Sequence, residues 1–247
     1  MRSKLPHILK CYGLINGLKL YSHLKIKSKS PVKFSFLKHP IYIRSIKSDE
    51  LMFEQVFADK QYDIKVPIDP QIIIDLGSNV GYASILFANR FPQAKIFALE
   101  PEENNFAVAQ KNVQPYYNIT LVRGAVWNKP EHINIVDSGH GEAAFMIEPG
   151  EGEHPVRAYT ITEIMQLIGI SHIDILKIDI EGSEKEIFET GFENWVPLTK
   201  IIIVETHDRY KPGSSKAIFN AIGKYDFSME ISRENIVLYN NSLVKIY

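Results

Sequence analysis

The chain has 247 residues, of which 45% are hydrophobic and 23% charged, the composition of a globular protein that buries a core. No apolar stretch approaches the roughly 20 residues of a membrane span. The single cysteine, Cys11, excludes an intrachain disulfide and a cysteine-built metal site. Residues 1–48 contain eleven of the 28 basic residues and no acidic one. Residues 49–247 therefore contain the remaining 17 basic residues and all 29 acidic ones. This acidic main domain argues against nucleic acid as a partner, and we expect a cytoplasmic protein.

Residues 5–24 repeat apolar side chains at helical spacing, with Lys10 and Lys19 interrupting them. We expect residues 1–30 to form a basic amphipathic helical extension, and three roles remain open. The helix packs on its own domain or on a second copy in a homo-oligomer. Alternatively, it lies on the inner face of a membrane. A signal peptide is the third role, disfavoured because the lysines interrupt its apolar core and no small-residue cleavage site follows.

Residues 31–70 predict a lead-in to the main domain. Two short strands are expected at Val32–Phe36 and Ile41–Ile46, around a His-Pro turn signal. Ser48 is predicted to cap a helix over Asp49–Ala58.

Residues 71–247 alternate strand and helix patterns, which predicts one α/β domain with a doubly wound, mostly parallel, seven-stranded Rossmann-like sheet. The predicted strands are Gln71–Leu76, Ala94–Glu100, Ile119–Arg123, Ile173–Ile180, Lys200–Thr206 and a terminal antiparallel hairpin of Tyr225–Ile231 and Asn235–Tyr239. The predicted helices are Val80–Arg90, Glu102–Asn112, Thr160–Ile168, Ser183–Gly191 and Ser214–Ile222. Ligands of such sheets bind beyond the carboxyl ends of the strands.

The loop after the first of these strands begins with Asp75 and contains Gly77, Ser78, Asn79 and Gly81. Its glycines read G-x-x-x-G rather than the G-x-G-x-x-G of dinucleotide-binding proteins. Asp75 would repel a pyrophosphate and suits an ammonium or sulfonium cation. The loop therefore predicts a positively charged ligand group.

Glu100 and Pro101 end the second strand, nineteen residues after Gly81. A carboxylate at this place can accept both hydroxyls of a ribose, although a strand-end acid is also often a helix cap. Together with the glycine loop it predicts a nucleoside cofactor. The arrangement resembles the S-adenosylmethionine site of class I methyltransferases, a resemblance that places the adenine beside Gly124 and Ala125.

A second group of ionisable residues ends the fourth and fifth main strands. Because side chains alternate along a strand, Lys177 and Asp179 share one side with Glu181, as do Glu205 and His207 on the following strand. If the two strands are neighbours, these side chains converge. Asp179, Glu205 and His207 could then hold a divalent cation such as Mg²⁺ or supply a general base, a role that the ordinary pKa of histidine, about 6.5, suits. The alternative is that Lys177 and Asp179 simply pair while Glu181 caps the next helix.

These segments together resemble the FkbM family of S-adenosylmethionine-dependent methyltransferases, most specifically at Leu176–Glu184, which reads LKIDIEGSE. The resemblance implies O-methylation of a hydroxyl on a sugar, glycan or polyketide-type small molecule. We expect Asp75 and the 77–81 backbone to hold the methionine part of the cofactor and Glu100 the ribose. Asp179 and His207 are the candidates for proton removal or acceptor positioning, with Lys177 tuning Asp179.

Two rival functions remain. A nicotinamide-dependent oxidoreductase is disfavoured by Asp75 and by the missing G-x-G-x-x-G pattern. A non-catalytic domain that keeps the fold and binds a nucleoside cofactor stays open, because a fold does not prove an activity. The irregular stretch 127–158, with His140, Glu142 and His154, is expected to shape the acceptor pocket.

Overall fold

The computed structural model describes residues 5–137, 145–149 and 155–245. The helices in these ranges are α1 (Leu5–Lys25), α2 (Lys47–Phe57), α3 (Tyr82–Arg90), α4 (Glu103–Val113), α5 (Ile161–Leu167), α6 (Glu184–Glu189) and α7 (Ser214–Ile222). The strands are β1 (Ile72–Leu76), β2 (Lys95–Glu100), β3 (Ile119–Arg123), β4 (Ala125–Val126), β5 (Glu131–Asp137), β6 (Phe145–Pro149), β7 (Val156–Tyr159), β8 (Ile173–Ile178), β9 (Thr199–Glu205), β10 (Phe227–Ser232) and β11 (Asn235–Asn240).

The main sheet has seven strands in the order β10-β11-β9-β8-β1-β2-β3. The pairs from β9 to β3 are parallel, whereas β11 runs antiparallel to both β9 and β10. Alternate residues of the central strands enter two separate cores, one on each face of the sheet. This burial on both faces explains the continuous Ile and Val runs of β1, β8 and β9. The predicted doubly wound sheet with a terminal hairpin is confirmed.

A second sheet of four strands, β4-β7-β5-β6, occupies part of the stretch that the sequence predicts as irregular. β5 pairs antiparallel with both β6 and β7, as expected for short hairpin strands. His140, Glu142 and His154 lie outside the described residues.

The two predicted lead-in strands are wrong. Between 31 and 46 the structure has a single β-bridge, in which Val32 and Ile41 exchange two backbone hydrogen bonds. The apolar residues of this stretch, such as Phe34, are buried in the core on one face of the main sheet. Their hydrophobicity therefore reflects packing rather than strand pairing. The predicted cap at Ser48 is also wrong, because α2 begins at Lys47 after Ile46.

The predicted N-terminal helix is confirmed as α1, which packs on its own domain. It breaks at Gly13, where φ is 74° and ψ is 174°. The break changes which side chains face inward, so Ile15 and Leu18 of the predicted apolar stripe are exposed while Leu20 is buried. In the described part of the chain, no helix has the length and apolar character needed to cross a membrane.

An ion pair is buried between the central strands β1 and β8, where Asp75 lies opposite Lys177 in the strand register. The Lys177 Nζ is 3.1 Å from the Asp75 Oδ1, and the two side chains are 2% and 0% exposed. The ammonium also donates to the Gly77 carbonyl at 2.7 Å, and the Ser84 hydroxyl donates to Asp75 at 2.6 Å. Burial alone lowers the pKa of Lys177, but the charges of Asp75, Tyr62 and Asp179 together outweigh it and raise that pKa well above its usual range.

The loop after β1 packs directly on the end of β8. The Asp179 N–H donates to the Leu76 carbonyl at 3.1 Å. Gly77 has a φ of 76°, and a Cβ built on it would lie 1.8 Å from the Asp179 carbonyl oxygen. Only glycine allows the two backbone segments to approach this closely.

We expect Gly77→Ala to lower the free energy of unfolding by about 3 kcal/mol or more, since a left-handed backbone and a steric clash both oppose the methyl group. Gly169→Ala is the matched control, because Gly169 has a φ of 68° and nothing within 4 Å of a built Cβ. It should cost only about 1–2 kcal/mol for the backbone conformation. Urea unfolding measures both, and equal losses would contradict the close approach.

We expect Lys177→Met to lower the free energy of unfolding by about 3–5 kcal/mol, because Asp75 then stays buried without its counter-charge. Adding Asp75→Asn should recover part of this loss, which urea unfolding of the double variant measures. The exposed Lys216 provides the control, and Lys216→Met should change stability by less than about 0.5 kcal/mol. A double variant no more stable than Lys177→Met would contradict the pairing.

Candidate active site

The carboxyl ends of β1, β2 and β8 open into a cleft, here called the β1–β2 cleft. It contains about 650 Å³ of empty space, including its open mouth. Six of the residues predicted to bind a cofactor line it: Gly77, Asn79, Glu100, Pro101, Gly124 and Ala125. The other described lining residues are Met52, Leu99, Asn105, Val126, Asp179, Ile180 and Glu181.

Asp75, Ser78 and Gly81 are not among the described residues that line the cleft. Asp75 is fully buried against Lys177, so its charge is neutralised beneath the loop. Ser78 is 3% exposed, and Gly81 precedes α3 with a φ of 86°. These three residues shape the loop, whereas the backbone of Gly77 and Asn79 forms its surface in the cleft.

Glu100 presents a carboxylate at the floor of the cleft, where it is 5% exposed. Its Oε2 accepts the Asn79 N–H at 2.7 Å, and its Oε1 accepts the Glu102 N–H at 3.0 Å. Burial raises the pKa of Glu100 to about 7, although these two hydrogen bonds oppose the shift. Glu102, rather than Glu100, caps α4, by accepting from Asn104 and Asn105. Glu100 therefore remains an acceptor for a donor in the cleft.

The lead-in supplies a wall of the cleft that the sequence does not reveal. Arg44 donates to both carboxylate oxygens of the buried Asp49 and, at 2.7 Å, to the Asn105 side-chain oxygen. This contact joins α2 to α4, and Met52 of α2 and Asn105 of α4 both line the cleft. In the sequence, Arg44 precedes Asp49 by five residues. This spacing alone does not predict a cleft wall, because the contact with Asn105 of α4 is evident only in the structure.

A second, wider cavity shares Asp179, Glu181 and Met52 with the β1–β2 cleft. It contains about 1530 Å³ of empty space, including the part open to solvent. Its described charged lining consists of six acidic residues and two arginines: Glu54, Asp59, Asp179, Glu181, Glu205, Glu234, Arg209 and Arg233. We call it the acidic cavity. Its described wall comes from α2 and its following loop, the loops after β8 and β9, and the β10–β11 turn.

The predicted convergence of the second group of ionisable residues is present in the structure. His207 is 1% exposed, and its Nε2 faces three carboxylates. Glu205 lies 3.4 Å from it, Glu181 3.7 Å and Asp179 3.8 Å. The other carboxylate oxygen of Asp179 lies 3.5 Å from the Lys177 ammonium and accepts the Tyr62 hydroxyl at 3.4 Å. β8 and β9 are adjacent and parallel, which brings these side chains together.

Glu184 orients His207, and sequence reasoning assigns it no role. Its carboxylate is fully buried, lies 2.8 Å from the His207 Nδ1, and accepts the backbone N–H groups of Ile180 and Gly182. Glu181 has a φ of 53° and Gly182 a φ of 100°, a turn that directs Glu181 into the cavity wall. Ser183, not Glu181, precedes α6, so the alternative in which Glu181 caps that helix is wrong.

Burial and neighbouring charges shift the pKa values of this group. Burial lowers the pKa of His207, but its hydrogen bonds to Glu184 and Glu205 outweigh burial and raise the pKa to about 11. Burial and the charge of Asp179 raise the pKa of Glu181 to about 8. A protonated His207 is a poor proton acceptor, and it lines neither cavity, whereas Asp179 lines both.

Asp179, Glu205 and His207 also bring one ligand atom each within 4.8 Å of one another. Glu184 fixes the His207 ring by its Nδ1 and leaves the Nε2 directed at the carboxylates of Asp179, Glu181 and Glu205, as outer carboxylates do for metal-binding histidines. A buried oxygen of Glu181 has no hydrogen-bond partner among the residues that the structure describes. The donor set therefore fits a divalent cation, on the condition that His207 is deprotonated.

Comparison with known proteins agrees with this geometry. The sequence model of the Methyltransferase FkbM domain matches residues 75–229, more than half of the chain. Methyltransferase 1 of Beauveria bassiana (strain ARSEF 2860) is 21% identical over 211 residues, covering 74% of this chain and 83% of that protein. Hexuronic acid methyltransferase AglP of Haloferax volcanii is 20% identical, covering 78% and 75%, and 2-O-methyltransferase NoeI of Sinorhizobium fredii is 24% identical, covering 57% and 65%.

The crystal structure of an FkbM methyltransferase from Methylobacillus flagellatus KT has the same fold. It superposes with a TM-score of 0.50 at 12% identity, covering 69% of this chain and 44% of that chain. The present chain thus spans less than half of that protein. The sheet order, the cleft at its carboxyl edge and the match across residues 75–229 lead to one conclusion. This chain belongs to the FkbM family and is a methyltransferase.

Proposed function

We propose that the enzyme transfers the methyl group of S-adenosylmethionine to a hydroxyl of a small-molecule or glycan acceptor. The observation that carries the proposal is the shared wall: Asp179 and Glu181 line both the β1–β2 cleft and the acidic cavity. A cofactor in the cleft and an acceptor in the cavity would meet at these carboxylates. The relatives named for hexuronic acid and 2-O-methyl transfer support a sugar-like acceptor.

The β1–β2 cleft offers complementary groups for each part of the cofactor. Glu100 would accept the ribose hydroxyls, and the backbone at Gly77 and Asn79 would hold the methionine part. Gly124 and Ala125 would receive the adenine, because both line the cleft on the far side of Glu100 and Pro101 in the chain. Asp179 and Glu181 would face the positively charged sulfur.

The reaction would be a single in-line displacement. The acceptor oxygen forms a bond to the methyl carbon while the carbon–sulfur bond breaks, and its electron pair stays on sulfur. The hydroxyl proton passes to the Asp179 carboxylate. Alignment of the two ligands can supply several kcal/mol of the barrier, roughly up to the 7–11 kcal/mol of well-oriented reactions. Glu184 would hold the His207 ring, and the His207 Nε2 would in turn position the carboxylates of Asp179 and Glu205.

The same group fits a divalent cation as a second candidate for acceptor activation. Asp179, Glu205 and His207 would hold it, and when bound it would polarise the acceptor hydroxyl. Turnover that is lost on addition of EDTA and restored by Mg²⁺ would establish this role. Turnover that EDTA leaves unchanged would assign the group to proton transfer alone.

Incubation of the purified protein with methyl-labelled S-adenosylmethionine and a panel of sugars and glycans tests the proposal. We expect label in an O-methylated product, identified by mass spectrometry. Binding of S-adenosylhomocysteine without label transfer to any acceptor would favour the non-catalytic rival. Binding of NAD alone would favour the oxidoreductase and contradict the cofactor assignment.

We expect Asp179→Asn to lower turnover by roughly 10²–10⁴-fold, because the amide cannot take the acceptor proton. The affinity for S-adenosylhomocysteine should change by less than about threefold, since the amide keeps the shape of the wall. Glu189→Gln is the control, because Glu189 is a half-exposed α6 carboxylate that lines neither cavity. Wild-type turnover in Asp179→Asn would refute the role.

The affinity for S-adenosylhomocysteine should depend on pH through Glu100. Its pKa is raised to about 7 in the free protein, and only its ionised form can accept hydrogen bonds from both ribose hydroxyls. Binding must therefore displace a proton below pH 7, and the Kd should rise by up to about tenfold per pH unit as the pH falls from 7. Above that value the Kd should level off.

Calorimetry between pH 5.5 and 8 measures this dependence. Glu100→Gln should bind more weakly and show a flat profile, because the amide does not titrate. An identical slope in wild type and Glu100→Gln would show that another group is responsible.

A further inference from the structure

The outward side of α1 carries large apolar side chains that the described part of the domain leaves exposed. After the break at Gly13, Leu14 is 66% exposed, Ile15 71% and Leu18 42%. Ile26, just beyond the end of the helix, is 74% exposed. We call these four residues the α1 outer face. Leu14, Ile15 and Leu18 lie within five residues, so they form a patch rather than scattered surface positions.

The fold does not need this patch. The inward side of α1 supplies Ile8 and Leu20 to the core, and the His23 ring contacts the Ile43 carbonyl at 2.9 Å. Gly17 is buried as well, and a Cβ there would lie 3.1 Å from the Leu9 Cα across the break. The helix is thus held from one side, and the side that holds the α1 outer face is left to solvent.

The segment that carries the patch is basic, although Glu54 of α2 contacts His7 at the start of α1. Residues 1–48 contain eleven basic side chains and no acidic one. Five exposed lysines lie on α1 or directly after it: Lys10, Lys19, Lys25, Lys27 and Lys29. Among the residues that the structure describes, none of the five is paired with a carboxylate, and Lys19 donates to the Lys33 carbonyl instead.

Exposed aliphatic side chains, with exposed lysines on the same segment that pair with no carboxylate among the described residues, match the interface of an anionic bilayer. Such a helix lies in the membrane plane, with its apolar side chains at the headgroup–acyl boundary and its lysines at the phosphates. A second copy of the chain is a poorer match, because four aliphatic side chains are fewer than the roughly 20–30 residues a side of a stable interface. We propose that the α1 outer face binds the surface of an anionic lipid bilayer.

Vesicle sedimentation with the full chain tests this proposal. We expect binding to vesicles of phosphatidylcholine with phosphatidylglycerol, weak binding to pure phosphatidylcholine, and weakening by salt. Leu14→Ser combined with Ile15→Ser and Leu18→Ser should lower the partition coefficient by at least roughly tenfold. Lys19→Gln combined with Lys25→Gln and Lys27→Gln should lower it by about fivefold for each lysine.

Control variants distinguish membrane binding through the α1 outer face from nonspecific adsorption by other exposed apolar or basic side chains. Leu167→Ser and Tyr117→Ser remove exposed apolar groups elsewhere, and their partition coefficients should match the wild type. Lys95→Gln combined with Lys216→Gln removes two exposed lysines outside the patch and should have little effect. Thermal unfolding should change little in all variants, since every replaced side chain is exposed and the replacements remove at most one hydrogen bond to a surface carbonyl.

No binding to anionic vesicles, or equal binding to neutral and anionic ones, would overturn the proposal. A concentration-dependent dimer that the three serine substitutions abolish, without vesicle binding, would assign the face to a second copy and also overturn it. Methyl transfer to a water-soluble acceptor should be the same in the serine variant and the wild type. The membrane proposal and the proposed function can therefore fail independently.

Discussion

The ion pair of Asp75 and Lys177 is the constraint on which the site depends. It crosses from β1 to β8 inside the sheet, where neither charge has access to water. The same ammonium donates to the Gly77 carbonyl and lies 3.5 Å from Asp179. One buried cation thus fixes the loop of the β1–β2 cleft and the first carboxylate of the acidic cavity relative to each other. Such a pair contributes little net stability, but its geometry is specific.

The consequence is a short path between the two cavities. The contact of Gly77 with the Asp179 carbonyl leaves no room for a side chain. Asp179, Glu181 and Met52 line both the cleft and the acidic cavity, so the two cavities adjoin at these residues. Methyl transfer requires such proximity, because the donor carbon and the acceptor oxygen must be in contact. The fold therefore supplies alignment, and the carboxylates supply the proton acceptor in the proposed mechanism.

Most of the main sheet could be predicted from the sequence, because strands buried on both faces leave continuous Ile and Val runs. The lead-in could not, since Phe34 and Ile41 are apolar for packing against the core and not for strand pairing. The break at Gly13 could not be predicted either. One residue with a positive φ changes which side chains of the following turns face the core, and the amino-acid composition carries no sign of it. The second sheet is built from strands of two to seven residues whose polar and apolar pattern is weak until they pair.

The candidate site divides in a similar way. The positions of these residues at strand ends correctly predicted that Glu100 lines the cleft. They also predicted that Asp179, Glu205 and His207 lie close together. Sequence position did not show that Asp75 is neutralised beneath the loop, because its partner Lys177 lies 102 residues further along the chain. Nor did it show that Glu184 holds His207, since that contact joins the first turn of α6 to the end of β9.

The most direct test is a crystal structure of the chain with S-adenosylhomocysteine. We expect the ribose hydroxyls within hydrogen-bond distance of the Glu100 carboxylate, and the sulfur facing the wall formed by Asp179 and Glu181. The acidic cavity should then be open to the sulfur. A ligand bound away from Glu100, or a sulfur directed away from that wall, would contradict the account.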